Sequence, residues 1–574
     1  MWGVIMRKKL NKTIKSVFAA AFAVSILIGC STNKNNISEE ENIITEITDE
    51  STEDLEDIGE EYETDSSSNN FVFTPLIAED SMYGGMNSEN GGISYTIKYQ
   101  SAILDEQTAE VYPELSETLI KDKDFQMKGS EESIEMFSET SGFIKDNSAY
   151  AGMELTDEIL TSVVRADPAV LSLKKEGYWF NAGAHGNYYT IGVNYDPKTG
   201  EKIVLNDVID NNINKLIATT EKILKENYSE TPSNIDLLAD ILTAAGDDVY
   251  GEDDFSYDVG WALGYNQLEL YFNPYALGSY AEGQQIVKIS FEDYPDLFNE
   301  KYTKNIPDTY AYKINNHEDI VYEDIDKDGK NEEIRISMLL DGNGIEDTEE
   351  YNLEVSFEDK TYTAQLHSFP GYENYFVKNN NGNCYIYSFT QHDNDYVVLD
   401  VCEVTNNVLT VSNSGNLEPA IISYEYLDSE DVDEGEYLTN FTGLKYALTN
   451  PVRLELSSRL NALSTYDGYR IYYLNEEGLP VSYNPYITNN GIVLKLKKDF
   501  EFEKCYQNGK RTGKKTVIPE GTEFYIHLTD GLSYVVLEYG NNEYVYAEIN
   551  TNEYPQPVNG VSSEDVFDGM FYAG

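Results

Sequence analysis

Apolar positions along this 574-residue chain fall into three regimes. The first is one unbroken apolar run, Ser16–Ile28, behind the basic residues Arg7, Lys8, Lys9, Lys12 and Lys15. It is shorter than the roughly 20 residues a membrane span needs. A basic head before a short apolar core is the layout of a signal peptide, which takes residues 1–29. The second regime, residues 30–70, is Ser, Thr, Asn, Glu and Asp with few large apolar side chains. Such a stretch cannot bury enough surface to offset its ordering entropy and is expected to be a disordered acidic tether. From Phe71 onward apolar residues recur at short period, and about five hundred residues are too many for one core.

The pattern divides that remainder into three. In residues 71–302, Ile93 to Tyr99 alternates like a strand, and Thr190 to Val193 followed by a polar turn and Ile203 to Leu205 reads as a hairpin. Ile213, Leu216, Ile217, Thr220 and Leu224 have helical spacing, and a second helix is expected from Ile235 to Ala245, ended by Gly246. Leu268, Leu270 and Phe272 alternate, Asn273 and Pro274 turn the chain, and Val287, Ile289 and Phe291 alternate again. This predicts an α+β domain with an antiparallel sheet. Residues 310–424 read as short strands separated by Asn, Asp and Gly. Residues 440–574 are also β-rich, and Glu523 to Ile526, Ser533 to Tyr539 and Tyr544 to Ile549 suggest a small barrel, similar to the bacterial Src-homology-like barrel. The fold class is therefore multidomain, α+β followed by all-β regions.

Charge limits the partners. The formal net charge is -62, and losing residues 1–29 removes five basic and no acidic side chains, taking it to -67. Nucleic acid and anionic headgroups would be repelled, whereas metal ions and basic proteins would be attracted. Leu27, Ile28, Gly29 and Cys30 resemble the lipobox of bacterial lipoproteins. That resemblance implies cleavage before Cys30, lipidation of its thiol, and a protein held on the outer side of a membrane.

Gly183, Ala184, His185 and Gly186, then Tyr195, Asp196, Thr199, Gly200, Glu201, Leu205 and Asp207, form one signature. Tyr271, Phe272, Asn273, Pro274 and Tyr275, then Tyr280, Ala281, Gly283 and Ile286 to Ile289, form a second. Together, over about residues 90–300, they resemble the extracellular domain of RsiV-type anti-sigma factors and PdaC-type polysaccharide deacetylases. The chain lacks the sigma-binding segment and the deacetylase domain, so only the module transfers. The resemblance implies binding of a protein or wall polymer, and lysozyme in particular, which the RsiV-type domain binds. His185, Pro274, Tyr275 and Tyr280 are the candidate ligand-binding residues, because tyrosines on a rigid turn offer contact surface at low entropic cost. Packing along a core edge is the alternative.

Asp324, Asp326, Asp328, Gly329 and Glu332 place acidic oxygens at alternate positions before a glycine, as a hard cation requires. The run resembles the calcium loops of FG-GAP or VCBS-type repeats. Arg335 at the twelfth position excludes an EF-hand. Candidate calcium ligands are Asp324, Asp326, Asp328, Lys330 and Glu332. Cys384 and Cys402 lie symmetrically about Asp393, the middle of an expected hairpin, which allows a disulfide or two buried thiols.

Zinc-helix, nucleophile-elbow, Walker and dinucleotide motifs are all missing. With 102 Asp and Glu residues, a glycosidase-like carboxylate pair would leave no trace in the pattern. The leading expectation is a non-enzymatic surface lipoprotein that binds a protein or glycan of the cell envelope, a cationic muramidase such as lysozyme or peptidoglycan being candidates. An enzyme acting on wall polysaccharide and a structural spacer are the alternatives.

Overall fold

The computed structural model describes residues 73–86, 93–144, 152–228, 231–247, 258–315, 317–340, 351–358, 360–366, 372–391, 397–405, 409–417, 438–451, 454–475, 478–482, 484–488, 491–540 and 542–572. The signal segment, Cys30, the tether and Asp393 lie outside them. The fold is multidomain and mostly β, with an α+β unit first. No helix among the described residues is long and apolar enough to cross a membrane.

The first unit is built on β1 (Leu76–Met86), β2 (Ile93–Ile103), β3 (Glu154–Asp167), β4 (Val170–Phe180) and β5 (Asn187–Tyr195). They lie in chain order in one sheet, and Leu438–Tyr446 adds antiparallel to β1 at its edge. The expected antiparallel sheet holds except between β2 and β3, which run parallel. The cause is the helix Pro113–Ile144, a crossover that returns the chain in the same direction. The expected hairpin after β5 shrinks to one bridge, Tyr195 to Lys202, because Leu205–Val208 turns helical.

A second layer follows, with β6 (Val259–Leu263), β7 (Gln267–Phe272) and β8 (Gln285–Ser290) in an antiparallel sheet. On one face, Leu268, Leu270, Phe272, Val287 and Ile289 join Leu216 and Leu224 of the helix Ile213–Asn227 and Ile241 and Leu242 of the helix Leu238–Asp247 in one core. The first helix follows the expected periodicity. The second starts as a 3-10 turn, Ile235–Leu237, and includes Gly246 rather than ending before it. On the other face β6 touches β5 so closely that a Cβ at Gly192 would lie 1.7 Å from the Trp261 carbonyl oxygen. Only glycine permits that approach.

Residues 310–417 form a sandwich. A four-stranded sheet over Glu318–Leu366 faces a five-stranded sheet made by Tyr310–Ile314 with the strands from Tyr372 to Leu417. Tyr312, Ile334, Ile336, Leu353, Phe376 and Ile386 fill the space between them. The seam with the first unit is polar and buried: Lys288 of β8 lies 3.0 Å from Glu269 of β7 and 2.6 Å from Asp319. Burial opposes the charge on Lys288, but Asp319 and Glu269 together hold its ammonium above the usual range. Beside it Tyr265 stacks on Tyr310 at 3.9 Å, and Asn266 donates to the Tyr322 carbonyl at 2.9 Å.

Cys384 and Cys402 are both buried free thiols. The hairpin register pairs Cys402 with Ile386, while the Cys384 carbonyl accepts from Val404, so the two cysteines are diagonal rather than opposite. The strand register is centred one residue later than in the symmetric reading, and that slip parts the thiols.

Among the described residues, the strands from Leu454 to Asp568 join a branched sheet of 11 strands, except Pro557–Val558 and Val561–Ser562, which pair with each other. The small barrel expected here does not close. Arg511–Ile518 ends the sheet and pairs only with Phe500–Cys505 among the described residues. Arg511, Lys514 and Lys515 blunt that edge with charge.

Candidate functional site

The loop between β4 and β5 carries His185, and the loop after β7 carries Tyr275 and Tyr280. The fold brings them together. The His185 ring stacks on Tyr280 with centroids 3.9 Å apart, its Nε2 lies 3.3 Å from the Tyr275 hydroxyl, and its Nδ1 lies 2.8 Å from the Gly186 carbonyl oxygen. The Tyr280 hydroxyl donates to the same carbonyl at 2.8 Å. Pro274 is half-buried beside Tyr275 and shapes the turn. Tyr275 has a φ of 75°, a conformation rare for a bulky residue.

Several bonds hold that strained turn. Asn273 clamps it to β5, its Oδ1 accepting from the Thr190 N–H at 2.7 Å and its Nδ2 donating to the Thr190 carbonyl at 3.1 Å. Ser279 and Glu282 form a capping box, and Glu282 also accepts from the N–H and hydroxyl of Ser233 at 3.0 and 2.8 Å. Those donors, the Ser279 N–H first, pull the Glu282 carboxyl down to about 2, so it is ionised throughout the neutral range.

Two further tyrosines enlarge the patch. Tyr178 of β4 pairs with Tyr188 of β5 in register, and Tyr188 meets Tyr280 edge-on at 5.8 Å. A Cβ at Gly186 would lie 2.3 Å from the Tyr178 hydroxyl, so this glycine admits the ring. Tyr178, Tyr188 and Tyr275 are 40%, 37% and 39% exposed, enough for a partner to reach. Sequence pattern alone missed Tyr178, Tyr188 and Glu282, and it marked Asn273 as a turn residue without its clamp on Thr190. The Ser279-x-x-Glu282 spacing was a signal for the last, since it is the capping-box signature.

The acidic loop lies elsewhere, after Glu318–Glu323 in the middle unit. Ligand oxygens of Asp324, Asp326, Asp328 and Glu332 fall within 4.8 Å of one another. Lys327 and Gly329 adopt φ of 64° and 91°, which bends the loop around those oxygens. Four carboxylates so close fit a hard divalent cation. Burial chiefly raises the Glu332 carboxyl above its usual range, and the charges of Asp326 and Asp324 add to it. Lys330 offers no carboxylate; its N–H donates to Asp328 at 2.9 Å, leaving only its carbonyl as a metal donor. The Lys327 amine reaches Asn383 Oδ1 at 2.7 Å and the Asn381 carbonyl at 3.2 Å, and the Asn331 N–H donates to Glu292 at 3.0 Å.

Residues 204–292 match the family described as "Protein of unknown function (DUF3298)". That span includes Tyr275, Tyr280 and Glu282 but ends before the acidic loop. Among solved structures, the chain is similar to a DUF3298 family member from Bacteroides fragilis, at 16% identity and a TM-score of 0.29, over 40% of this chain and 95% of that one. It is also similar to a DUF3298 family protein from Pseudomonas aeruginosa, at 13% identity and a TM-score of 0.25, over 41% of this chain and 98% of that one. No curated protein matches the chain.

Proposed function

We propose that this chain is a lipoprotein anchored through Cys30 on the outer side of a bacterial membrane, and that its aromatic patch captures a basic protein of the cell envelope. The observation that carries this reading is the rigidity of the patch. His185, Tyr275 and Tyr280 are exposed enough to be reached, yet are pinned by the Asn273 clamp and the Glu282 cap. Exposed aromatics that pay little entropy on binding are the usual anchors of an interface.

The charge of -62 selects the sign of the partner, and the ionised Glu282 beside the rings favours a lysine or arginine from it. A muramidase such as lysozyme is cationic and fits that requirement, and the likeness to RsiV-type and PdaC-type domains points the same way. Peptidoglycan is the alternative ligand, since the same rings can stack on sugars. A calcium ion held by Asp324, Asp326, Asp328, Glu332 and the Lys330 carbonyl belongs to the same reading, as a structural part of the middle unit.

The test is calorimetry of the chain freed of residues 1–30 against lysozyme at about 0.15 M ionic strength, with a second basic protein of similar charge as control. Lysozyme is expected to bind far more tightly than the control. Tyr275→Ala and His185→Ala should each weaken it by about tenfold, the effect of losing an interface anchor worth more than about 1 kcal/mol. Equal, weak binding of both proteins, unchanged in the variants, would reduce the interaction to diffuse charge and remove the proposal.

A further inference from the structure

The last unit carries a second aromatic surface, on the face of its sheet opposite the main core. Phe524, Ile526, Leu537, Val545 and Ala547 point inward. The other face holds a small cluster of its own, Cys505, Leu528 and Val536, ringed by Tyr534, Tyr544 and Tyr546. His527 sits at a bulge in Glu523–Thr529, which turns its ring onto Tyr544 at 5.0 Å. Tyr534 and Tyr546 stack at 5.0 Å and 18°. Register aligns Tyr525, Glu538 and Tyr544 in one row across three strands, with Tyr525 47% exposed. Tyr525 and Tyr544 therefore stand two strands apart, about 9 to 10 Å, the scale of a short run of sugar rings.

The segment that carries this face differs in charge from the rest of the molecule. Residues 493–549 hold eight Lys and Arg against nine Asp and Glu, a net of -1 in a chain whose total is -62. Two of the carboxylates beside the rings are also already engaged: Arg511 lies 2.5 Å from Glu503 and 3.0 Å from Glu548, with its guanidinium 4.7 Å above the Tyr546 ring centre. A basic protein gains little attraction here, and an anionic polymer would find the guanidinium beside the rings already taken. Flat aromatic rings framed by paired carboxylates and a guanidinium suit a ligand that is uncharged, flat on one side and rich in hydroxyls. Tyrosine rings stack on its C–H faces, and Glu538 and His527 supply an acceptor and a ring nitrogen to its rim.

We propose that the aromatic face formed by Tyr525, His527, Tyr544 and Tyr546 is a binding site for a neutral glycan, separate from the patch of the first unit.

The probes are chitohexaose, which is neutral, and its de-N-acetylated hexamer, which has the same backbone and is cationic. Each is titrated by calorimetry into the chain freed of residues 1–30. Chitohexaose is expected to bind, and Tyr525→Ala, at an exposed position and checked for an intact fold by circular dichroism, should weaken it about three- to tenfold. Tyr275→Ala should leave that binding unchanged. The site is overturned if chitohexaose does not bind, if only the cationic hexamer binds, or if Tyr275→Ala rather than Tyr525→Ala removes the binding. Because lysozyme capture is read on the other patch, loss of one proposal leaves the other standing.

Discussion

Asp467 lies opposite Arg459 on paired antiparallel strands, yet its carboxyl is pushed up to about 6 from an ordinary 3.8, because burial outweighs the attraction of Arg459. The folded chain therefore binds this proton more tightly than the unfolded chain does. Its contribution to stability is greatest below about pH 4 and declines as pH rises toward 6. Asp467→Asn should remove that decline, raising the melting temperature at pH 7 relative to the parent and leaving it nearly unchanged at pH 4. A scan in which both proteins fall in parallel between pH 4 and 7 would refute the assignment. Single residues were unevenly legible. His185, Tyr275 and Tyr280 stand beside glycine and proline, which announce turns, and the acidic loop is contiguous. Tyr178 and Tyr188 became part of the patch only through strand register, and Asn273 through a contact to Thr190, 83 positions away.

At the scale of elements, the helix Ile213–Asn227 was readable because one face is consistently apolar. The longer helix Pro113–Ile144 was not. Leu115 and Leu119 near its start and Ile134 and Phe137 near its end pack into two separate clusters. Between them it turns polar groups onto the sheet: Asp122 accepts from Tyr195, Gln126 from Ser101, and Ser133 donates to Asp157, which also accepts from Tyr99 at 2.6 Å. A helix packed on a polar patch has no continuous apolar stripe to detect. The seam held by Lys288 has the same character, and its value lies in completeness. Lys288→Met leaves Glu269 and Asp319 buried without their cation and should cost about 3–5 kcal/mol, measured as a lower urea midpoint. Adding Glu269→Gln and Asp319→Asn to that variant should recover most of the loss. A Lys288→Met protein with an unchanged midpoint would mean the seam is hydrated.

On the scale of the whole molecule, the acidic loop touches both Glu292 of the first unit and the Asn381–Asn383 turn. An ion there would clamp the seam from outside. Calcium at a hundredfold excess over its dissociation constant should stabilise the chain by about 2.7 kcal/mol, seen as a rise in melting temperature. Asp326→Asn should abolish the rise, and a parent chain indifferent to calcium would end the assignment. The domain order was legible from composition, but the start of the last region was not. The expected boundary at 440 cuts into Leu438–Tyr446, a strand that completes the first sheet, where Thr449 also donates to the Phe73 carbonyl across 376 positions.

That returning strand sets an order of events for folding during synthesis. A polypeptide is made from its N-terminus, so β1 must wait with one edge unpaired until the entire middle sandwich has followed it. An open strand edge is a template for wrong partners. The first unit thus reaches its final form only when most of the polypeptide has been made, and a truncation inside the sandwich would release a product prone to clump by that edge.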